Sequence, residues 1–371
     1  MRTLSVFLVL VLSVLQTSLS QAYFDNSYEN FPYPNVRTYH ASPDGDDVNS
    51  GTESEPMKTI NVALELAQPG ERIFLHDGHY YQDVRTVRDG EADRPILIYG
   101  SKEAQLHGEF DAHVVEIHHD FIHLRGFTID GKFAEEETPE SYRGSLIWVQ
   151  GMELMSGPRG VVIRAMRLRN AAGECLRMRY FVSEAEIFGN SFYNCGVLDF
   201  QFNEGSKNGE AIYIGTAPDQ WANGKNLTSD PDRTHHIWIH DNSFLTNGNE
   251  CVDIKDGSVY NLVEHNICTG QKDPNSGGFN VQGDYNVVRN NISFANNGAG
   301  IRVGGHMVNG NQYGVENDIY GNVFFDNGHA AVKVMASPQS NVCGNDSYDN
   351  VLSDYAGISG VYYEPDTICT W

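Results

Sequence analysis

The chain has 371 residues and a formal net charge of -24 at pH 7. A protein this acidic repels nucleic acids and anionic membrane surfaces, so we expect neither as a partner. Its length allows one large domain or two of ordinary size. Its 37 glycines, together with many Asn and Asp residues, favour short strands separated by turns.

The first 22 residues have the features of a secretory signal peptide. Arg2 precedes an apolar run from Leu4 to Leu15, and Ser20-Gln-Ala22 suits signal peptidase. The apolar run is short for a membrane span, so we expect cleavage near Ala22 and an extracellular protein. Cleavage removes Arg2 and changes the formal charge from -24 to -25. Residues 23–37, rich in Tyr, Asn and Pro, are interpreted as an N-terminal arm.

Residues 38–371 are predicted to form a single domain. Apolar residues at helical spacing in Met57–Ala67 predict a short amphipathic helix. Strand-like runs bounded by Gly and Asp follow it, including Arg72–Leu75 and Pro95–Tyr99. We therefore expect an all-β domain with one short helix near its start.

An asparagine recurs in the pattern apolar-x-x-Asn-x-apolar through the second half of the chain. Successive asparagines are 52, 24, 25, 31 and 23 residues apart. One coil of a parallel β-helix takes roughly 25 residues, so we expect two coils and an insertion at 216–234 within the first interval. Stacked side-chain amides can satisfy backbone groups of neighbouring coils, so these asparagines are predicted to be structural. They are Asn190, Asn242, Asn266, Asn291, Asn322 and Asn345.

The segment YHASPDGDDVNSGTESEPMKTINVALELAQPGERIFLHDGHYY, which begins at Tyr39, resembles the entrance and helical cap of a known family. These are secreted β-helix proteins of the polysaccharide lyase type, in particular those similar to family-nine pectate lyases. The resemblance covers about residues 38–350. It implies a right-handed single-stranded parallel β-helix with a short N-terminal capping helix, acting on an acidic polysaccharide. We expect a monomer.

Six cysteines in an exported protein suggest disulfides, and an even number fits complete pairing. Sequence neighbours suggest 175–195, 251–268 and 343–369, although six cysteines allow fifteen pairings. Among the glycosylation sequons, Asn291 and Asn345 belong to the predicted ladder and should be inaccessible. Asn226, in the predicted insertion, is the expected acceptor.

Short strands with the same alternation of inward and outward residues recur along the chain. They should stack in register, which aligns their outward residues in two columns. One column reads Arg177, Tyr213, Asp253, Asn280, Arg302 and Lys333. The other reads Arg179, Gly215, Lys255, Gln282, Gly304 and Met335. The cations form a local stripe that suits an anionic polymer, so Arg177, Arg179, Gln282 and Lys333 are predicted to bind substrate.

Uronate polymers can be cut by β-elimination, which needs a base for the C5 proton and a cation or donor at the carboxylate. We expect Lys255 to be the base, with a pKa lowered by burial and neighbouring arginines. Arg302 or Arg177 would hold the carboxylate, and Tyr213 would pass a proton to the leaving oxygen. Proton return to the opposite face would instead make the protein a C5-epimerase.

The resemblance also implies a calcium site. Asn249, Glu250 and Asp253 are similar to the acidic cluster of family-nine pectate lyases, with Asn208 or Glu210 one coil earlier completing it. In that family the catalytic lysine follows about one and a half coils later, where this chain has Arg289.

Other interpretations remain open from the sequence. Lys255 can form a simple ion pair with Asp253 or Glu250, and Glu174, Glu210 and Glu250 share a frame position that fits a structural role at a bend. A non-catalytic extracellular matrix or coat protein that binds calcium or polysaccharide is the alternative to an enzyme.

Overall fold

The structure, a computed structural model, describes residues 36–204 and 208–370. The predicted signal peptide and almost all of the predicted arm lie outside the described residues. From Thr38 onward the chain forms one compact unit. None of the helices in the described ranges combines the length and apolar character needed to cross a membrane.

The strands are short, as the turn-rich composition predicts. The N-terminal strands are β1 (Thr38–Ala41), β2 (Arg72–Leu75), β3 (Gly78–Tyr80), β4 (Val84–Arg85), β5 (Ile96–Gly100), β6 (Ala104–Leu106), β7 (His113–Ile117), β8 (Ile122–Arg125) and β9 (Thr128–Asp130). The middle strands are β10 (Ser145–Gln150), β11 (Val162–Arg164), β12 (Arg167–Ala171), β13 (Leu176–Arg179), β14 (Glu186–Phe188), β15 (Ser191–Cys195), β16 (Ile212–Ile214), β17 (Trp238–His240), β18 (Ser243–Leu245), β19 (Val252–Ile254), β20 (Leu262–Glu264) and β21 (Ile267–Thr269).

The C-terminal strands continue the same series. They are β22 (Gly277–Val281), β23 (Val287–Arg289), β24 (Ile292–Phe294), β25 (Ala299–Val303), β26 (Met307–Val308), β27 (Asn311–Gln312), β28 (Asp318–Tyr320), β29 (Val323–Phe325), β30 (Val332–Val334), β31 (Asn341–Cys343), β32 (Asp346–Tyr348) and β33 (Tyr355–Gly357). The α-helix α1 spans Ile60–Leu66, short 3-10 turns span Pro139–Ser141 and Pro218–Gln220, and a π-helical turn spans Leu198–Phe202.

Three parallel sheets run the length of the unit. Sheet A has the order β1-β2-β5-β8-β11-β14-β17-β20-β23-β28-β31, and sheet B has the order β3-β6-β9-β12-β15-β18-β21-β24-β29-β32. Sheet C has the order β4-β7-β10-β13-β16-β19-β22-β25-β30-β33. The chain visits A, B and C in turn and then starts the next coil, which is the predicted right-handed parallel β-helix.

The core lies inside the coil and repeats from layer to layer. In sheet A the inward residues Ile187, Ile239 and Val263 stand directly above one another, because alternate strand residues face opposite sides. Helix α1 covers the N-terminal end of the stack with Ile60, Ala63 and Leu64 buried, as predicted for a cap.

The asparagine ladder is confirmed. The amide of each asparagine donates to the side-chain oxygen of the next, for example Asn242 to Asn266 at 3.0 Å and Asn266 to Asn291 at 3.0 Å. The interval from Asn190 to Asn242 is, however, one coil and not two, because β14 pairs directly with β17. That coil is long because it carries two insertions, one between β15 and β16 and one between β16 and β17.

All six cysteines are paired as sequence neighbours suggested, in Cys175–Cys195, Cys251–Cys268 and Cys343–Cys369. Cys175 and Cys251 directly precede the sheet C strands β13 and β19, and their partners Cys195 and Cys268 lie on the sheet B strands β15 and β21 of the following coil. Each of these two bridges therefore ties the corner before sheet C to the next coil.

Candidate functional site

The outward face of sheet C carries the predicted columns. Register places Arg177 beside Tyr213, Tyr213 beside Asp253, and Asp253 beside Asn280. Arg302 and Lys333 follow in the next two coils. The predicted alignment of these side chains is therefore confirmed, and strand register alone produces it.

Lys255 lies inside a group of carboxylates. Its Nζ is 2.6 Å from Asp253 Oδ2, and the side chains of Lys255 and Asp253 are 14% and 1% exposed. Carboxylate oxygens of Glu210, Glu250 and Asp253 lie within 4.8 Å of one another. The ion pair left open by the sequence is thus present, in a site largely closed to solvent.

The expectation of a lowered pKa for Lys255 is wrong. Burial does act to lower it, but the charges of Asp253, Tyr213, Glu210 and Glu250 outweigh burial and raise the pKa of Lys255 well above its usual value. The arginines that were expected to dominate are farther along the column. At neutral pH the side chain is therefore an ammonium ion.

Two of the carboxyl groups hold protons readily. Burial, with a further contribution from Asp253, raises the pKa of Glu250 to about 7, although Lys255 and the hydrogen bond from Ser276 act to lower it. Burial also raises the pKa of Glu210 well above its usual value, although Lys255 opposes that shift. Glu250 accepts a hydrogen bond from the Ser276 hydroxyl, one coil along.

Tyr213 stands between two cations on the floor of the same face. The Arg177 guanidinium carbon lies 4.1 Å from the centre of the Tyr213 ring, and Lys255 Nζ lies 4.8 Å from it. Burial raises the pKa of Tyr213 to about 12, while Lys255 and Arg177 act to lower it. The two cations thus favour the phenolate against the effect of burial.

Hydrogen bonds continue the column toward the C-terminal coils. Asn280 donates to Asp253 Oδ1 at 3.1 Å, and Arg302 donates to Asn280 Oδ1 at 2.8 Å. Lys333 donates to the backbone of Asn275, and burial together with Arg302 lowers its pKa. Gln282 is buried beside this line. The guanidinium of Arg302 is therefore oriented through Asn280.

Arg177 and Arg179 are both buried. Arg177 forms an ion pair with Glu174 at 2.7 Å and donates to Gln220 in the insertion at 2.9 Å. Arg179 donates to Asn226 Oδ1 at 2.6 Å. Burial and then Arg177 lower the pKa of Arg179 to about 10.

The predicted glycosylation acceptor Asn226 is buried. The residue is 6% exposed, because its side chain is folded onto the sheet beneath the insertion and not toward solvent. Its amide nitrogen faces Thr216 Oγ1 at 3.4 Å. The amide nitrogen that would carry a glycan is thus directed inward in the folded chain.

The insertion between β16 and β17 forms one wall of a cavity of about 640 Å³ over β7, β10 and β13. Asp232 holds its base by accepting from Tyr180 N at 2.7 Å and from Thr216 Oγ1 at 2.6 Å. Trp221 packs against Tyr313 of a later coil, with ring centres 5.7 Å apart. Arg177 lines the cavity and also lies over the Tyr213 ring, which Lys255 contacts, so it connects the cavity with the group around Lys255.

Sequence reasoning missed Trp148, which continues the column one coil before Arg177. Its ring stacks on His113 with centres 4.1 Å apart and lies below the Arg177 guanidinium. The sequence could have predicted this position of Trp148, because Ser145–Gln150 shows the same strand alternation as Leu176–Arg179. Gln220 was missed because nothing in a long insertion indicates where it folds back.

The carboxylates have the hard oxygen donors that calcium prefers. Lys255, however, already places a positive charge against Asp253. Asn249, predicted as a ligand, is buried beside them, with its backbone N–H bonded to Gly209 O at 2.9 Å. The donor types therefore fit a cation, but the ammonium ion already supplies the compensating charge.

Arg289 lies on sheet A, where it pairs with Glu264 at 2.7 Å, away from this face.

Comparisons with known proteins give partial sequence matches. A family model described as a protein of unknown function, DUF1565, matches residues 44–115. An uncharacterized protein YwoF of Bacillus subtilis is 26% identical over 133 residues, and the pectate lyase PEL9 of Emericella nidulans is 25% identical over 146 residues. These matches cover 33% and 36% of this chain, and 28% and 32% of those proteins. The matched part is thus about a third of each relative.

Solved structures match over most of the chain. An alginate lyase from Paenibacillus sp. str. FPU-7 is 20% identical with a TM-score of 0.66, covering 86% of this chain and 98% of that one. The pectate lyase Pel9A is 12% identical with a TM-score of 0.53, covering 87% and 79%. At such identities the likeness concerns the fold, and it confirms the resemblance to β-helix proteins of the polysaccharide lyase type.

Proposed function

We propose that this protein cleaves an acidic, uronate-containing polysaccharide by β-elimination. The observation that carries the proposal is the position of Tyr213 between two cations, 4.1 Å from Arg177 and 4.8 Å from Lys255. A phenol and an ammonium ion side by side on one face can each move one proton. Arg302, which follows on the same face, adds a cation for a substrate carboxylate in a chain whose net charge is -24.

The reaction needs three groups. A base removes the C5 proton, the electron pair forms the C4–C5 double bond, and the bond to O4 breaks as O4 takes up a proton. A cation at the carboxylate stabilises the charge that develops at C5. Tyr213, Lys255 and Arg302 lie on one face and have the required chemical types.

The charges favour a division of roles opposite to the one expected from sequence. Lys255 is an ammonium ion at rest, which suits donation to O4, because Asp253, Glu210 and Glu250 raise its pKa. Tyr213 rests as a phenol, because burial raises its pKa to about 12. Once it has lost that proton to solvent, a loss that Lys255 and Arg177 favour, the phenolate takes the C5 proton. Arg302, oriented by Asn280, holds the carboxylate, while Arg177, Arg179, Gln282 and Lys333 bind neighbouring parts of the polymer.

We also propose that the protein is secreted, with a signal peptide at 1–22, an arm at 23–37 and one β-helix domain at 38–371. Its three disulfides support an oxidising compartment. Acidic polysaccharides are large extracellular polymers, and the cavity over β7, β10 and β13 beside the site offers room for part of such a ligand. We expect the protein to act as a monomer.

Polygalacturonate, alginate and glycosaminoglycans are the substrates for a direct test. The purified protein is incubated with each while the absorbance of the unsaturated product is followed, and NMR of the polymer monitors inversion at C5. Absorbance that rises with one polymer supports the lyase. Inversion without absorbance indicates the epimerase, and no change with any polymer contradicts an enzymatic role and favours the matrix protein.

Tyr213→Phe removes the hydroxyl and keeps the ring between its two cations. We expect kcat to fall by about 10²–10⁴, the usual contribution of a proton-transferring group. Tyr193→Phe is the matched control, because Tyr193 lies on sheet B with 43% of its surface exposed. Initial rates on the best polymer measure both variants, and full activity in Tyr213→Phe would contradict the assigned role.

A further inference from the structure

The carboxyl groups of Glu210, Glu250 and Asp253 are buried together, so any negative charge on them needs a compensating cation. Their relative exposures are 3%, 6% and 1%. Charged carboxylates are costly to bury unless a cation or several donors compensate them. Glu210 Oε2 has no hydrogen-bond partner among the described residues, so donors alone do not satisfy the group.

Lys255 brings the compensating charge from the chain itself. It follows Asp253 by two residues, so both side chains leave the same face of the sheet. Its Nζ lies 2.6 Å from Asp253 Oδ2, and it is the cation that acts most strongly on Glu210 and on Glu250. Tyr213 closes the other side of the ammonium ion at 4.8 Å.

We infer that the Lys255 ammonium is the built-in cation of this cluster, that it takes the place assigned to calcium by resemblance, and that the wild-type protein binds no divalent ion there. A divalent ion would have to displace the ammonium ion from a pocket where three carboxylates and a tyrosine ring surround it. The same geometry makes the cluster a latent divalent site, which opens when a neutral side chain replaces the lysine.

Terbium luminescence tests this inference, since Tyr213 lies close enough to the cluster to sensitise a bound Tb³⁺ ion. Wild-type protein freed of metal by a chelator is titrated with Tb³⁺ under tyrosine excitation, and Lys255→Met is titrated in parallel. We expect no saturable signal from the cluster in the wild type. In Lys255→Met we expect a saturable signal that Ca²⁺ displaces and that a further Glu250→Gln substitution removes.

Two results would overturn the inference. One is a saturable wild-type signal that Glu250→Gln abolishes, since the cluster would then hold a metal beside the lysine. The other is a folded Lys255→Met protein that binds no Tb³⁺, since the ammonium ion would then not be what excludes the metal. Circular dichroism checks folding, and the wild-type titration decides even if Lys255→Met fails to fold.

Activity gives a second readout, which rests on the proposed function. Turnover by the wild type should be unchanged by a chelator and by added Ca²⁺, and loss of turnover in the chelator that Ca²⁺ restores would overturn the inference. The two proposals fail separately. A protein that cleaves no polymer can still show the expected terbium result, and an active lyase can still bind metal.

Discussion

His240 illustrates how single residues of this stack acquire unusual charge states. Its Nδ1 lies 2.7 Å from Asp241 Oδ2, and its Nε2 lies 3.1 Å from Glu186 Oε1. Glu264 is its neighbour in the next strand, and Trp238 and Phe188 stack on its ring. Burial lowers its pKa, but the hydrogen bonds to Asp241 and Glu186 outweigh that effect and raise it to about 9.

Because the folded-state pKa exceeds the ordinary 6.5, protonated His240 stabilises the fold fully below pH 6.5 and loses that effect as the pH rises through about 9. Asp241 is 58% exposed, so solvent screens the pair and we expect a contribution of about 1 kcal/mol. Urea unfolding of His240→Gln should show a larger loss of stability below pH 6.5 than above 9. The exposed His265→Gln is the control, and a loss independent of pH would refute the explanation.

At the scale of elements, the insertion between β16 and β17 depends on one buried aspartate. Asp232 accepts hydrogen bonds from the backbone of Tyr180 and Phe181 and from the side chains of Thr216 and Thr234. It thereby ties both ends of the insertion to the end of β13. The insertion then presents Gln220 and Asn226 to the two arginines of the site.

Asp232→Ala should release the insertion while leaving the coils intact, because the hydrogen bonds that Asp232 accepts lie at the base of the insertion. We expect trypsin to cut after Lys225 in the variant at least about tenfold faster than in the wild type, since local opening costs less free energy. Asp219→Ala, in the same insertion, is the control. Equal cleavage rates with an unchanged melting temperature would show that other interactions hold the insertion.

At the scale of the whole molecule, the sequence predicts the features that repeat from coil to coil and misses those that occur once. The Asn ladder, the two outward columns and the capping helix follow from periodicity, because each coil repeats the strand alternation of its neighbour. A second asparagine ladder includes Asn261 and Asn286, and the side-chain amide of Asn261 donates to Asn286 Oδ1 at 2.9 Å. The sequence did not predict it, because its motif is less regular. The pKa of Lys255 was predicted in the wrong direction because strand register shows alignment but not which charges are in contact. The burial of Asn226 depends on how an irregular insertion folds back.

The tail after β33 has a consequence for the ends of the stack. Pro365 O accepts from Asn345 N at 2.8 Å, and Cys343–Cys369 holds the tail in place. The tail thus occupies hydrogen-bonding positions that a following coil would take. If the tail leaves, the strands of the last coil have unpaired backbone groups. Such groups can pair with a strand of another chain, which promotes association.

Removing the bridge with Cys343→Ser and Cys369→Ser should let the tail leave, so that the exposed last coil can join other copies of the chain into filaments. The net charge of -24 opposes such growth, so we expect it above about 0.5 M salt, where repulsion is screened. Light scattering against protein concentration measures it, with the oxidised wild type as control. A variant that stays monodisperse at high salt would show that the last coil does not polymerise even without the Cys343–Cys369 disulfide.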